Sequence, residues 1–413
     1  MREMKDSGIE WVGQIPKDWD VVPHKRVMHK VKKICEQYNG EDIISLTMNG
    51  VIKRDLTAGG KMPTSFDGYQ YVKPNDLLLC LFDIDVTPRC VGVVKDYGVT
   101  SPAYSRFVMH DGYYNAYYDY LLRAIDDDKV FVHLSKNLRS SLTESDFGAI
   151  KTCVPSLAEQ KRIVTFLDAQ CAEIDAVSEK TRASIEEYKK LKQAVITQAV
   201  TKGIRGDRPM KNSGIEWIGD IPAEWGVVPH KRIMHKVKEI CEQYNGEDII
   251  SLTVNGVVKR DLTAGGKMPT SFDGYQYVEP NDLLLCLFDI DVTPRCVGVV
   301  RDYGVTSPAY SRFVMHDGYY NAYYDYLLRM IDDNKVFVHL SKNLRSSLTE
   351  SDFGAIKTCA PPLAEQKCIA AFLDVRCDEI DALIAKKQQY LTEIENYKKS
   401  LIYEYVTGKK EVV

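Results

Sequence analysis

Two stretches of this chain repeat apolar positions with the period of a helix. The first, SLAEQKRIVTFLDAQCAEIDAVSEKTRASIEEYKKLKQAVITQAVTKG from Ser156 to Gly203, has no interior Pro or Gly and is rich in Ala, Glu, Gln and Lys. Leu167, Ile174, Tyr188 and Val195 share one heptad position, with Val177 and Leu191 beside them; Thr181 interrupts the line. In the second stretch, 362–408, Leu373, Ile380, Ile394 and Leu401 hold that position, with Leu383, Tyr390 and Tyr397 beside them and Lys387 as the interruption. Ser156 followed by Glu159 reads as a capping box, and Pro361-Pro362 opens the second copy with a proline suited to a first helical turn. Gly203 and Gly408 stand where the helices should stop. About 45 residues at 1.5 Å each make a rod of roughly 65 Å. A stripe this narrow and long predicts that the two helices pair as an antiparallel coiled coil rather than each lying flat on its own domain.

The remaining sequence alternates on a shorter period. DIISLT, DLLLCLFDIDV and CVGVV read as strands, punctuated by turns at Asn39-Gly40, Asn49-Gly50, Gly59-Gly60 and Asp67-Gly68. YYNAYYDYLLRAID reads as a helix whose tyrosines are divided between core and surface. The fold class expected is α+β.

Both patterns occur twice. SGIEWVGQIPKDW begins at Ser7 and SGIEWIGDIPAEW at Ser213, an offset of 213 − 7 = 206, and all four tryptophans lie in these two stretches. At that offset Val21–Pro155 and its copy differ at 9 of 135 positions, whereas the helical stretch keeps its pattern and lets its letters drift. The expected order is globule 1–155, helix 156–203, linker 204–212, globule 213–361, helix 362–408. If the helices pair antiparallel, the two globules are related by a pseudo-two-fold axis.

A net charge of −4 excludes a protein coated in nucleic-acid-binding charge, although a local basic face remains compatible with it. The eleven cysteines contain no C-x-x-C pair and read as reduced, mostly buried thiols of a cytoplasmic protein. No apolar run has the length of a membrane span, and Met1–Glu10 does not read as a signal peptide. TAGGKMPT fails as a phosphate loop, because Asp55 occupies the first glycine position and Met62 the place of Ser or Thr. Asp83 and Asp85 would share one side of a strand, but no companion acid and lysine follow closely enough for a two-carboxylate metal site. The histidines His24, His29, His110 and His133 have no ligand-like spacing, and no nucleotide or S-adenosylmethionine fingerprint is present. No catalytic residue, metal or cofactor is expected.

Cations and amides on loops are what the chain does offer. PHKRVMHKVKK (Pro23–Lys33) is basic; Lys53, Arg54 and Lys61 surround a glycine-rich loop; Arg89 follows a strand; Arg106 accompanies Tyr104; Lys136, Asn137 and Arg139 cluster in LSKNLRSSLTESDF. Each recurs in the second copy, as Lys259, Arg260, Lys267, Arg295, Arg312, Lys342, Asn343 and Arg345. Lys and Arg suit phosphate oxygens, and Arg and Asn can read guanine and adenine edges bidentately. These sixteen residues are the candidate DNA contacts.

The doubled SGIEW opening, the KPNDLLL strand entry, NLRSSLTESDFGAIKTCVPSLAEQKRIVTFLD with its copy, and the closing YVTGK resemble the specificity subunit of type I restriction-modification systems. The resemblance covers essentially the whole chain. It implies two target-recognition domains, each binding half of a bipartite double-stranded DNA target. It also implies paired helices that set the gap and dock two methyltransferase subunits, through which restriction/translocase subunits join. Methylation and ATP-dependent cleavage belong to those partners, so the lack of catalytic motifs is what the resemblance requires. Phe166, Ile196, Phe372 and Ile402, lying beyond the seam, are the candidate docking residues.

In the usual family member the two recognition domains differ; here they are almost the same. Two equal readers about a two-fold axis predict an interrupted palindrome. The charge-changing pairs Lys33/Glu239 and Lys73/Glu279 are thereby removed from the base-reading candidates. Two other readings stay open: a stand-alone DNA-binding regulator without enzyme partners, and a metal-dependent nuclease built on Asp83 and Asp85. Apolar residues on the helices outside their seam favour a partner over the first of these.

Overall fold

The computed structural model describes residues 2–48, 50–57, 63–87, 89–135, 140–254, 256–263, 269–293, 295–341 and 346–412. The chain divides into two units: one comprises Met1–Arg182 with Gln389–Val413, the other Ala183–Gln388. Each unit therefore takes one globule, the N-terminal part of one long helix and the C-terminal part of the other.

In the first unit the core is laid down by a four-stranded antiparallel sheet in the order Met28–Lys30, Ser105–Met109, Leu77–Leu79, Val91–Val93. Leu77 and Leu79 point into the main core, while Leu78 points into a smaller cluster with Ile44, Val51, Val72 and Val94. That is why three leucines stand in a row: a strand covered on both faces has no polar side. The expected longer strand ends there. Phe82–Val86 turns, and Asp83 adopts φ 46°, so Asp83 and Asp85 are exposed turn residues and not neighbours on a strand. The helix Asn115–Asp127 forms where expected, burying Tyr117 and Tyr118 and leaving Tyr120 half-buried. The second unit repeats the arrangement with the order Met234–Val237, Ser311–Met315, Leu283–Leu285, Val297–Val299 and the helix Asn321–Asp333.

The basic stretch from Pro23 is only partly surface. His24 is buried against Phe147, with ring centroids 4.6 Å apart, and Val27 and Met28 join the core. Burial pushes the His24 imidazole down to about 4, and the same holds for His230. An unfolded histidine titrates near 6.5, so the stability from each neutral ring is complete above about pH 6.5 and is lost as pH falls toward 4. The gap corresponds to roughly 3 kcal/mol per histidine. Urea midpoints of both units should therefore fall between pH 7.5 and pH 5, with a flatter dependence in the His24→Gln/His230→Gln variant. Equal slopes in the two proteins would show that these histidines do not govern acid sensitivity.

The long helices span Leu157–Lys202 and Leu363–Val406 and pack together. In the first unit Phe166 meets Tyr405, Asp175 pairs with Lys398 at 2.6 Å and Arg182 with Glu395 at 3.0 Å. In the second, Tyr188 lies under Lys387 and Lys192 pairs with Asp381 at 2.6 Å. Within each unit residue numbers rise on one helix as they fall on the other, so the segments run antiparallel.

The seam keeps its first expected line, with Leu167, Leu373, Ile380, Ile394 and Leu401 buried. Its second line is different. Cys171, Ser178 and Ile185 are buried on the first helix and Cys377 on the second, whereas Val177, Leu191, Leu383, Tyr390 and Tyr397 are 42–57% exposed. The line lies four residues after the first and not three.

At the seat of each pair of helices stands a tryptophan. Trp19 is buried and its Nε1–H donates to Glu159 Oε2 at 3.0 Å; Trp225 does the same to Glu365 at 2.8 Å. Glu159 also pairs with Arg2, and Glu365 with Arg208. The capping box is thus only half made: the Ser156 hydroxyl accepts from the Glu159 N–H, but the Glu159 side chain turns away to Arg2 and Trp19. Gly408, with φ 69°, closes the other helix over the same indole; a Cβ there would lie 2.5 Å from Pro16 Cδ and 2.9 Å from Trp19. The repeat consequently begins before Ser7. Met4–Asp6 pairs with Gln14–Pro16 just as Met210–Asn212, expected as linker, pairs with Asp220–Pro222.

Candidate nucleic-acid interface

The hairpin Ile44–Thr47/Gly50–Lys53 carries the first candidate cations. Lys53 is exposed and its Nζ lies 2.6 Å from Asp42; in the second unit Lys259 lies 2.7 Å from Asp248. Arg54 follows the hairpin, its backbone N–H donating to Ile43 O at 2.8 Å, and Arg260 repeats that bond to Ile249. The pairing with Asp42 is a surface ion pair of about 0–1 kcal/mol, so Lys53 can leave it for a phosphate at little cost.

Arg89 is held lower, with Nη1 3.2 Å from Asp127 and only 22% of its side chain exposed. Arg295 is equally covered, Nε donating to Val254 O at 3.1 Å, with Asp333 3.9 Å away. Arg89 and Arg295 are therefore anchored by the helix that follows the sheet and are poorer contacts than Lys53.

Arg106 is a correction. It is buried, its Nε donates to Asp76 Oδ2 at 2.6 Å and its Nη1 to Tyr71 O at 3.1 Å. Arg312 forms an ion pair with Asp282 at 2.6 Å, donates to Tyr277 O at 3.0 Å and also lies 3.6 Å from Glu239. A guanidinium committed to a buried carboxylate is not available to DNA; it ties two strands together inside the globule. Lys61, Lys136, Asn137 and Arg139, and likewise Lys267, Lys342, Asn343 and Arg345, lie outside the described residues.

Of the candidate docking residues, Phe372 is exposed. Ile196 is half-buried against the second unit's core. Phe166 packs its ring 4.4 Å from that of Tyr405, and Ile402 is buried in the first unit's core. Ile402 is a correction, held in the core of its own unit, whereas Phe166 is half-buried like Ile196. Exposed places outside the seam are also taken by the residues first read as seam, Val177, Tyr390 and Tyr397 in the first unit and Leu191 and Leu383 in the second.

All eleven cysteines are free thiols and only Cys368 is exposed, so none bridges and none forms part of a metal cluster among the described residues. No helix among the described residues is long and apolar enough to cross a membrane.

No family model matches the chain. Two proteins of Methanocaldococcus jannaschii are similar to it. The putative type I restriction enzyme MjaX specificity subunit is 23% identical over an alignment of 435 residues covering 97% of this chain and 96% of the relative. The type I restriction enzyme MjaVIII specificity subunit is 26% identical over 288 residues, 64% of this chain and 63% of the relative. The chain resembles type I restriction specificity subunits. Its fold agrees with that likeness. A chain solved in work on complex assembly and conformational transition of the type I R-M system superposes with a TM-score of 0.71 at 14% identity, covering 96% of this chain and 99% of that one. The HsdS subunit from Thermoanaerobacter tengcongensis gives 0.50 at 15%, covering 96% and 98%.

Proposed function

We propose that this chain is the non-catalytic, cytoplasmic DNA-recognition subunit of a type I restriction-modification assembly. The observation that carries the reading is the likeness to a specificity subunit over 97% of the chain, joined to a shared fold with a TM-score of 0.71. On this reading residues 1–155 and 213–361 each bind one half of a bipartite duplex target, with Lys53, Arg54 and their copies Lys259 and Arg260 among the contacts. The long helices set the gap and dock methyltransferase subunits, which bring the restriction/translocase subunits. Methyl transfer and ATP-driven cleavage are chemistry of those partners.

The near-identity of the two globules supports equal half-sites, since 9 differences in 135 positions leave little room for a second specificity. Antiparallel helix segments within each unit support inverted rather than direct copies, hence an interrupted palindrome. Exposed Val177, Leu191, Phe372, Leu383, Tyr390 and Tyr397 favour a docked partner over a stand-alone regulator, because a helix pair facing only water has no use for them.

Selection from random duplex DNA, with the chain alone and with its methyltransferase subunit, tests this directly. The expected product is an interrupted palindrome enriched far more strongly with the partner present. Direct repeats or two unlike halves would refute the inverted arrangement. An uninterrupted site bound tightly by the chain alone would establish the regulator instead.

A further inference from the structure

Nine positions separate the conserved part of one globule from the other, and only two of them reverse charge: Lys33 becomes Glu239 and Lys73 becomes Glu279. Forty residues apart in sequence, these two positions belong to one surface patch. The Tyr71 N–H donates to Lys33 O at 2.8 Å, and the Lys33 ammonium lies 5.4 Å from the centre of the Tyr71 ring. Lys73 follows two residues later on the same extended segment, its N–H held by Asp76 at 2.8 Å. In the second unit the Tyr277 N–H donates to Glu239 O at 2.8 Å and the Glu279 N–H to Asp282 at 2.6 Å. All four charged side chains are exposed. The patch thus carries two lysines in one unit and two glutamates in the other, on globules that otherwise match; of these, Glu239 lies 3.6 Å from Arg312 and so offers less repulsion than Glu279.

The patch adjoins the candidate DNA surface. The Tyr71 hydroxyl donates to Glu41 at 3.2 Å, and the next residue, Asp42, holds Lys53. Cations beside Lys53 extend a face for sugar-phosphate, whereas a carboxylate at the same place repels it. Neither kind of charge alters which bases are read, so the two units can share one sequence and still differ in grip.

We propose that Lys33 and Lys73 contact the DNA backbone beside the half-site of the first unit and that Glu239 and Glu279 weaken the same contact in the second, giving one chain a tight and a loose reader of a single sequence. The inference rests on the DNA-recognition reading above. A tight reader would hold one half-site first while the loose one tests the other.

The test uses the full chain with its methyltransferase subunit, the selected duplex, and a duplex keeping one half-site with the other scrambled. Each neutralised phosphate contributes a slope of about −0.9 to log K against log salt. Lys33→Glu/Lys73→Glu should therefore reduce the salt slope by about 2 and lower affinity for the single half-site about 10- to 100-fold near physiological salt. Glu239→Lys/Glu279→Lys should steepen the salt slope by about 2 and raise affinity on the selected duplex, where both units bind, and change single-half-site affinity by no more than about twofold. Wild-type affinity and slope in both variants, with specific binding intact, would overturn the tight-and-loose assignment alone. Absence of any sequence-specific duplex binding by the wild-type complex would overturn the recognition reading on which it stands. Unchanged DNA binding accompanied by altered methyltransferase recruitment would assign the patch to a protein contact and also overturn the proposal.

Discussion

Replacing Arg106 by leucine should destabilise the first unit by about 3–5 kcal/mol while the salt slope of DNA binding stays unchanged. The guanidinium and the Asp76 carboxylate are both buried, 2.6 Å apart, and the Arg106 Nη1 also satisfies Tyr71 O. Removing the arginine strands a carboxylate away from water, and that stranded charge supplies most of the cost. Adding Asp76→Leu in the same protein should recover only the part of the loss that comes from the stranded carboxylate, because Tyr71 O and the Lys73 N–H then lose their partners. Urea unfolding of wild type, both single variants and the double variant closes the cycle and measures the coupling. A surface arginine gripping DNA would behave oppositely, losing affinity and salt slope with unaltered urea midpoints; that result would return Arg106 to the interface.

Arg106 also marks how far local sequence can be read. In AYSRF nothing distinguishes a buried arginine from an exposed one, since the acid that buries it stands 30 positions away. By contrast the helices were legible, because composition, the absence of interior Pro and Gly, and terminal Gly203 and Gly408 all bear on the same few turns. Their pairing line was half legible. Leucine and isoleucine marked the first line, but the true second line uses Cys171, Ser178 and Cys377, which are smaller than the exposed Val177, Leu383 and Tyr390. A hydrophobic count chooses the wrong neighbour when a second surface on the same helix also favours apolar side chains.

The strand DLLLCLFDIDV failed for a related reason. Alternation cannot be seen in a run buried on both faces, so the point where Leu77–Leu79 gives way to the turn at Phe82–Val86 leaves no period to break. The doubled tryptophans were conspicuous from the start, yet their purpose was not. It lies in a bond to a glutamate 140 residues further on, at the mouth of a helix.

That bond supplies the second large effect. Glu159→Ala should cost the first unit about 1–3 kcal/mol. Glu159 is buried, holds the Trp19 Nε1–H at 3.0 Å and pairs with Arg2, whose guanidinium lies 5.8 Å from the indole centre. Truncation leaves the indole N–H without its acceptor, whereas Arg2 keeps its pairing with Asp18 at 2.6 Å. It also removes a carboxylate from the first turn of a helix, where negative charge is favoured by the exposed N–H groups. Glu159→Gln should cost less, since its amide oxygen can still accept from Trp19 while the attraction to Arg2 weakens. Hydrogen exchange locates the damage: amides of the first turns, Gln160–Leu167, should lose protection in the alanine variant well before those of the sheet strand Ser105–Met109. Because Gly408 closes the partner helix over the same indole, amides preceding it should loosen together with them. Undiminished protection at both helix ends would mean that the tryptophan is held by apolar packing alone and that the glutamate is incidental. Coordinated loosening would identify the repeated tryptophan motif as the joint fastening each globule to both long helices, a joint the proposed recognition of a spaced target needs to be stiff.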